Sequence, residues 1–413
     1  MNNKKQNVFA VLVGGAVTFF GVQATPAFAE EIDALKFSVS QTFSRDTNLY
    51  RISDDVPDNG PGRERMRGKR SDTIAVTRAG ASFDQEYGRQ GIHLGLAASR
   101  TFYREHTDLN NTSPDARLRW DWRVGDHWSG VLGYSYNESF VGFEDASGYE
   151  RVMRRLGRAN GGVNYWFHPD WAVGVSASSV RNTYRDDRRP WDEYDAREAN
   201  LNLTYRPATG NRIVFSLRNE DGKYPERNKE EPDSLREWQQ RDARFSGEWQ
   251  LTGVTKISGY IGYSQREYEY ASSRDFRGMT GSLALHWVPT PKAIVDLSWR
   301  REIGADHDAA SNFAVSHSWI LQPTWVVTDK VRLGATLKTT KRDYRGTAPD
   351  ADTSLPGSAK YDRTGSYGLN LQYIPAAFFN LTLGIQREKR DSKWDDNRDY
   401  DAQTTWLSGN FTF

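Results

Sequence analysis

Apolar and charged residues alternate one by one in short segments along most of the chain. The clearest case spans residues 116–124, where apolar Leu118, Trp120, Trp122 and Val124 alternate with Arg117, Arg119, Asp121 and Arg123. Because successive side chains of a β-strand point to opposite faces, this segment has one apolar and one charged face. The pattern recurs in apolar sets that include Ile213, Phe215 and Leu217; Phe245, Trp249 and Leu251; Leu283, Leu285 and Trp287; and Val331, Leu333 and Leu337. The chain is therefore predicted to consist of strands that are apolar on one side only.

Two kinds of connection separate these segments. The short ones, rich in turn formers, are Gly125-Asp126-His127, His168-Pro169-Asp170, Ala208-Thr209-Gly210, Thr252-Gly253-Val254, Pro289-Thr290-Pro291, Thr328-Asp329-Lys330 and Pro375-Ala376-Ala377. The long polar ones span residues 46–70, 105–113, 141–153, 185–192, 224–238, 304–310, 345–358 and 392–399. Alternation of tight periplasmic turns with long external loops is typical of outer-membrane barrels. We predict an all-β fold, a transmembrane antiparallel outer-membrane β-barrel of about 18 strands with both termini in the periplasm.

The first residues have the form of a secretion signal. Lys4 and Lys5 precede an apolar run over residues 8–22, and Ala27-Phe28-Ala29 has the small-x-small form of a cleavage site. The run is shorter than the roughly 20 apolar residues that a spanning helix needs. We predict that residues 1–29 are a signal peptide cut after Ala29, and that residues 30–413 form a single barrel domain in the bacterial outer membrane.

The end of the chain fits the same prediction. On a final strand, one face would carry Leu407, Gly409, Phe411 and Phe413. A terminal Phe in this position resembles the signal that outer-membrane proteins use for insertion.

Composition narrows the alternatives. The chain has 20 Tyr, 19 Phe and 14 Trp, yet its hydrophobic fraction is 37% and its mean hydropathy is -0.76. A transmembrane barrel combines these values, because only its lipid-facing residues are apolar and its aromatic residues form interfacial girdles. The alternative is a secreted soluble propeller or sandwich. We find no Trp-Asp repeat at the roughly 40-residue period of a propeller, and no Pro- or Ser-rich linker that would divide a sandwich into domains.

Charge and cysteine content exclude several classes of function. The 55 basic and 54 acidic residues leave a net charge of +1, which gives no case for a nucleic-acid partner. Cysteine is absent, which excludes disulfides, thiolate metal sites and cysteine nucleophiles.

Candidate catalytic or metal-binding chemistry is weak. A lipase-like pair would have to come from His307, His317, Ser311, Ser316 and Ser318. The adjacent His317 and Ser318 would point to opposite faces of a strand, however, whereas hydrolysis needs both on one face. Three acidic groups could attract calcium but lack the EF-hand spacing: Asp186-Asp187, Asp350-Ala351-Asp352 and Asp395-Asp396. We predict no catalytic, cofactor-binding or metal-binding residues, and therefore not an enzyme.

If the apolar faces contact lipid, the opposite faces line a lumen. The basic candidates for lumen-lining residues are Arg117, Arg119, Arg123, Arg212, Arg218, Arg244, Arg300, Arg332, Lys338 and Arg342, with Arg266 and Arg390. The acidic residues among them are Asp121, Glu220, Asp242, Glu248, Asp296 and Glu388. Basic residues outnumber acidic ones, and charges in a pore select solutes by sign. The lumen would therefore suit an anionic or polar polymer or solute, unless these residues only form a ladder of paired charges across the barrel.

Several stretches resemble the outer-membrane barrel proteins encoded with exopolysaccharide synthesis and exosortase systems, the EpsL family. They are Asp46-Thr47-Asn48-Leu49-Tyr50-Arg51, Leu217-Arg218-Asn219-Glu220-Asp221-Gly222-Lys223-Tyr224-Pro225, Arg274-Asp275-Phe276-Arg277-Gly278, Trp287-Val288-Pro289-Thr290 and Lys341-Arg342-Asp343-Tyr344-Arg345-Gly346. The likeness runs from about residue 35 to the C-terminus. The resemblance implies a barrel that helps to move polysaccharide across the outer membrane and has no catalytic residues.

Three hypotheses about function follow. The first is a channel for exopolysaccharide export, whose partners are the polysaccharide chain in transit, outer-membrane lipid and the inner-membrane synthesis machinery. Since we find no periplasmic helical-repeat segment, a separate periplasmic bridge is expected as a further partner. The alternative is a passive diffusion porin for small anionic or sugar solutes. The third, an outer-membrane lipid hydrolase, is disfavoured by the faces of His317 and Ser318.

Overall fold

The computed structural model describes residues 34–54, 68–143, 151–185, 189–227, 236–305, 313–345, 360–393 and 398–413. The predicted signal peptide, residues 1–29, lies outside these ranges. Within them, no helix is long and apolar enough to cross a membrane.

Eighteen antiparallel strands form one sheet. They are β1 (Leu35–Asp46), β2 (Asp72–Tyr87), β3 (Gln90–Tyr103), β4 (Asn111–Val124), β5 (Trp128–Phe140), β6 (Met153–His168), β7 (Trp171–Tyr184), β8 (Tyr194–Tyr205), β9 (Arg212–Lys223), β10 (Glu237–Thr252), β11 (Thr255–Tyr268), β12 (Phe276–Thr290), β13 (Ala293–Ala305), β14 (Phe313–Thr328), β15 (Val331–Arg345), β16 (Tyr361–Ala376), β17 (Phe379–Ser392) and β18 (Tyr400–Thr412). Each strand pairs with the next along the chain, and β18 also pairs with β1. The predicted closed antiparallel barrel is confirmed, and closure leaves no unpaired sheet edge.

The strand register keeps apolar and polar residues on separate faces. Trp120 of β4 lies opposite Ile92 and Leu132 on the neighbouring strands, while Arg119 lies opposite His93 and Gly133. Directly opposed residues of an antiparallel pair share a face. The apolar sets therefore join into one surface around the barrel, which we call the apolar face, and many of its large side chains are exposed, among them Phe37, Leu118, Phe215, Leu283 and Leu369.

Short turns join the strands at one end of the barrel, here called the short-turn end, and longer connections join them at the long-loop end. Gly88, Gly125 and Gly210 lie in short turns with φ of 62°, 58° and 81°, which residues with a side chain rarely adopt. Leu35, where β1 begins, and Phe413 both lie at the short-turn end.

Five of the seven predicted short turns begin inside a strand, because β6, β10, β12, β14 and β16 end at His168, Thr252, Thr290, Thr328 and Ala376. Pro289-Thr290-Pro291 and Pro375-Ala376-Ala377 were expected to be turns, but β12 runs to Thr290 and β16 to Ala376. The register shifts around each proline, between Trp287 and Thr290 and between Tyr373 and Ala376. The same kind of shift occurs at the ends of β6, β10 and β14, where the shifted residues include no proline, so a bulge carries the strand into the turn and also accommodates a proline where one is present.

The long-loop end differs from the prediction at a few positions. β4 begins at Asn111, inside the predicted connection 105–113, and β13 continues to Ala305, inside 304–310. Two further connections were not among those predicted: the turn at Gly88 and Arg89, and the loop 269–275 between β11 and β12. Neither has a proline or a long polar run to mark it in the sequence.

Candidate pore lining

Side chains of the polar face converge from strands that are not neighbours. Arg158 of β6 pairs with Glu198 of β8 across β7, with Nη2 2.9 Å from Oε2. Arg266 of β11 lies 3.4 Å from Glu220 of β9, across β10. Adjacent strands are about 4.8 Å apart, so contacts that pass over a strand form readily where side chains converge on the concave side of a sheet. We therefore take the polar face as the candidate pore lining.

A charge-balanced network surrounds Arg218 of β9. Its Nε donates to Oδ2 of Asp242 over 2.6 Å, and its Nη1 lies 3.2 Å from Glu220 and 3.5 Å from Glu198. Asp242 also accepts hydrogen bonds from Gln240 and Ser264. The network brings together three arginines and three carboxylates: Arg158, Arg218, Arg266, Glu198, Glu220 and Asp242. Mutual pairing of this kind fixes side chains on the wall without leaving net charge in the lumen.

Other cations of the lining are not neutralised. Among the described residues, no carboxylate lies within 4.0 Å of six of them: Arg123, Arg206, Arg212, Arg244, Arg332 and Lys338. Arg244 stacks on the Tyr260 ring at 4.1 Å from its centroid, and Nε of Arg332 has no hydrogen-bond partner. By contrast, Glu248 pairs with Lys256, and Asp296 with His286. The candidate lining thus carries an excess of unpaired positive charge.

Three of these arginines gather at the short-turn end, and we call them the basic cluster: Arg123, Arg206 and Arg212. Arg206, in the turn between β8 and β9, lies over the Trp166 ring at 4.4 Å from its centroid. Burial, and then the charges of Arg123 and Arg212, lower the pKa of Arg206. Arg123 and Arg206 line one cavity together with Trp166, and Arg206 and Arg212 flank the turn beside the Tyr205 and Ile213 pair, so an anion among the three guanidiniums would relieve their mutual repulsion.

At the long-loop end, the connection after β1 turns toward the lining. Arg51 has a positive φ of 55°, rare for a residue with a side chain. Its Nη2 lies 2.9 Å from Oδ2 of Asp46, and its Nε lies 3.7 Å from Oε1 of Glu388 on β17. The guanidinium also lies over the Tyr400 ring of β18. Since Glu388 and Tyr400 belong to the polar face, Arg51 fastens this connection across the inner side of the mouth.

Two clusters of buried apolar residues lie at the mouth of the barrel, at its long-loop end. The first mouth cluster comprises Tyr50, Ile52, Tyr103, Leu109 and Phe143. The second mouth cluster comprises Ala196, Tyr224, Trp238, Tyr268 and Ala271. The first is built on β3 and on connections beside β1 to β5, the second around β8 to β11. In the closed ring, β6 and β7 separate the clusters on one side and β12 to β18 on the other, so the clusters narrow two different parts of the mouth.

The residues predicted to line the lumen share the polar face by register but do not form one compact site. Arg117 lies opposite Gly95 and Ser135, and Arg342 opposite Ser316 and Asp362. Several are paired with acids two residues along the same strand: Arg117 with Asp115, Arg119 with Asp121, and Arg300 with Glu302. The predicted residues that have no acidic partner are those named above. The predicted lining therefore divides into residues whose charge is neutralised and residues whose positive charge is not.

Other residues of the lining were missed by the sequence reasoning. Arg158 and Glu198 follow the same alternation as the predicted candidates, so strand parity alone could have found them. Arg51 and Arg206 lie in connections, where no periodicity reports which way a side chain points.

The alternative chemistry finds no support among the described residues. Ser318 of β14 lies 3.0 Å from the Thr340 hydroxyl on the lining, whereas His317 belongs to the apolar face, between Arg301 and Lys341. His307 and Ser311 lie outside the described residues, as do the acidic groups at 186–187, 350–352 and 395–396. In the described ranges, no group of three or more His, Cys, Asp or Glu could hold a metal ion.

Comparison with known proteins agrees with this architecture. Residues 240–410, from β10 into β18, match a family model described as "Putative beta-barrel porin 2". Two crystal structures of Pseudomonas aeruginosa OccK2 (OpdF), one in complex with glucuronate, superpose with a TM-score of 0.52 at 14% identity, covering 92% of this chain and 98% of theirs. A BenF-like porin from Pseudomonas fluorescens Pf-5 gives a TM-score of 0.49 at 10% identity, covering 92% of this chain and 99% of its own. No curated protein matches the sequence.

The closed sheet, the family model and the OccK2 superposition define the class: the protein is an outer-membrane β-barrel. More narrowly, it is porin-like, since its closed 18-stranded sheet has the fold of the OccK2 porin and its sequence from β10 onward matches a porin family model.

Proposed function

We propose that this protein is a passive porin through which small anionic solutes diffuse across the outer membrane. The observation that carries the proposal is the excess of unpaired cations on the polar face, above all the basic cluster. A pore wall of one sign concentrates solutes of the opposite sign and selects by charge. Planar guanidinium groups also bind carboxylates through two parallel hydrogen bonds.

The proposed orientation follows from the connections. Long loops on the external side and short turns on the periplasmic side put both termini in the periplasm. An anion would then pass the narrowed mouth first, follow the paired wall around Arg218, and reach the basic cluster last. Placing the unpaired cations beyond the constriction draws the solute inward.

Carboxylated sugars are suitable probes, since glucuronate is the ligand in one of the OccK2 crystal structures. We would reconstitute the barrel in liposomes, compare uptake of glucuronate with that of glucose, and measure the reversal potential in a KCl gradient. The test variant combines Arg123→Gln, Arg206→Gln and Arg212→Gln. The matched control combines Arg89→Gln, Lys292→Gln and Lys330→Gln, which remove the same charge from short turns.

We expect the wild type and the control to favour glucuronate and chloride, and the test variant to lose most of that preference. A wild-type barrel that shows no preference for glucuronate over glucose would refute the anion-selective porin. A test variant as selective as the control would remove the basic cluster from the proposal.

The second candidate is exopolysaccharide export, supported by the sequence resemblance to the EpsL family alone. It calls for an inner-membrane synthase and a periplasmic bridge, which cross-linking in the native host could capture. Deletion of the gene separates the candidates. Loss of exopolysaccharide from the medium, restored by complementation, would favour export, whereas unchanged secretion with slower uptake of small anions would favour the porin.

A further inference from the structure

Four basic residues stand side by side on the apolar face, near the long-loop end of β13 to β16. Arg301 lies opposite His317, His317 opposite Lys341, and Lys341 opposite Arg363. We call Arg301, His317, Lys341 and Arg363 the outer basic row. Directly opposed residues have Cβ atoms roughly 5 Å apart, and like charges in such positions destabilise a sheet.

The described residues neutralise the outer basic row only in part. Lys341 has an acidic partner, with Nζ 2.7 Å from Oδ1 of Asp343. Arg301 donates to the carbonyl oxygen of Met279 and has no carboxylate within 4.0 Å among the described residues. Arg363 likewise has none within 4.0 Å among the described residues, and Asp391, which lies directly opposite it on β17, pairs instead with Lys389 at 3.2 Å. Two outward guanidiniums are thus left for an external anion.

The outer basic row lies at the edge of the apolar face. One step toward the middle of the barrel, Trp299 and Trp319 face each other with ring centroids 6.3 Å apart. A further step reaches Leu297, Leu321 and Leu337, which are also opposed. Each step of two residues is about 7 Å along a strand, and Trp is enriched where membrane meets water. The row therefore sits at the depth of lipid headgroups.

The short-turn end of the same strands differs. There the apolar face presents Trp325 and Tyr373, and the nearby lysines Lys292 and Lys330 lie in the turns. Within the described part of β13 to β16, the outward row of cations is therefore a feature of the long-loop end.

We propose that the outer basic row binds the phosphate groups of a membrane lipid in the leaflet at the long-loop end. Charge complementarity supports this occupant, since guanidinium groups bind phosphate through paired hydrogen bonds. The depth of the row selects a lipid over a soluble anion, because the acyl chains would pack on the tryptophan and leucine side chains below. The inference does not depend on what passes through the lumen.

The experiment uses the full barrel in uncharged detergent, titrated with diphosphoryl lipid A, with binding followed by native mass spectrometry and thermal unfolding. The test variant combines Arg301→Gln and Arg363→Gln. The matched control combines Lys292→Gln and Lys330→Gln, on turns of the same strands. A cation near an anionic membrane surface contributes about fivefold in affinity, so we expect roughly thirtyfold weaker binding by the test variant and unchanged binding by the control.

The same substitutions should not lower thermal stability when lipid is absent. Without lipid, the test variant should unfold no earlier than the wild type, because the substitutions remove like-charge repulsion. If the double substitution prevents folding, Arg363→Gln alone is expected to weaken binding about fivefold. Equal affinity of test variant and control would overturn the proposal. So would equal stabilisation of the wild type by inorganic phosphate or by a galactosyl diacylglycerol, which lacks phosphate.

Discussion

The imidazole of His106 lies against the carboxylate of Asp72, with Nδ1 2.8 Å from Oδ2, and both side chains are fully buried. Asp72 begins β2, whereas His106 lies in the connection between β3 and β4. The same carboxylate accepts the backbone N–H groups of Arg104, Glu105 and His106. One side chain therefore fixes a whole connection at the mouth, where the His106 ring meets Tyr50 edge-on.

Replacing Asp72 should release that connection. Asp72→Ala removes the acceptor from several buried N–H groups, each worth about 1–3 kcal/mol, so we expect a loss of about 3 kcal/mol in the free energy of unfolding. Urea unfolding in vesicles measures this, and limited proteolysis should cut residues 104–110 sooner. The control is Asp84→Ala, where the carboxylate is exposed and pairs with His93. Similar losses from both variants would contradict the role given to Asp72.

Arg51 should control the width of the mouth. Arg51→Ala removes the contacts with Asp46 and Glu388 that fasten the connection after β1 across the lining. We expect a higher single-channel conductance in planar bilayers, because the connection can then leave the lumen. Lys69→Ala is the control, since the Lys69 to Glu105 pair is exposed and such pairs contribute little. An unchanged conductance in Arg51→Ala would mean that this connection does not limit the pore.

The network around Arg218 should stabilise the wall. Asp242→Ala leaves Arg218 without its closest carboxylate and removes an acceptor for Gln240 and Ser264. Loss of one partner from a buried, hydrogen-bonded pair is costly, and we expect about 2 kcal/mol here because the Arg218 side chain is partly exposed. Glu248→Ala, which loses an exposed pair with Lys256, should cost less than about 1 kcal/mol. Equal urea midpoints for the two variants would contradict this.

Gly222 should be required for the second mouth cluster. A Cβ at this position would collide with the Trp238 indole, which packs against Tyr224 with ring centroids 4.9 Å apart. Gly222→Ala should displace Trp238 and weaken the near-ultraviolet circular dichroism of the cluster. Gly95→Ala is the control on the same polar face, where a Cβ meets no atom within 4 Å. An unaltered spectrum in Gly222→Ala would show that Trp238 can move without loss of packing.

The strands were largely predictable because their signal is local. Alternation in segments such as 116–124 reports the face of each residue, and the register pairs like with like, as at Trp120 and Leu132. Prolines misled the turn assignments at Pro289 and Pro375, because a bulge lets a strand continue past a residue that cannot donate to the ladder.

The sequence by itself determined the all-β fold, the approximate number of strands and the apolar face, since a period of two needs no knowledge of distant residues. Only the tertiary structure decided which charges neutralise one another. Arg218 and Arg212 stand on the same face of the same strand, yet Arg218 meets carboxylates from neighbouring strands and Arg212 meets none within 4.0 Å among the described residues. Glu248 lies directly opposite Arg212 on β10 but pairs with Lys256 of β11, so the difference depends on which side chains meet across the closed sheet, and these come from residues far apart in the chain.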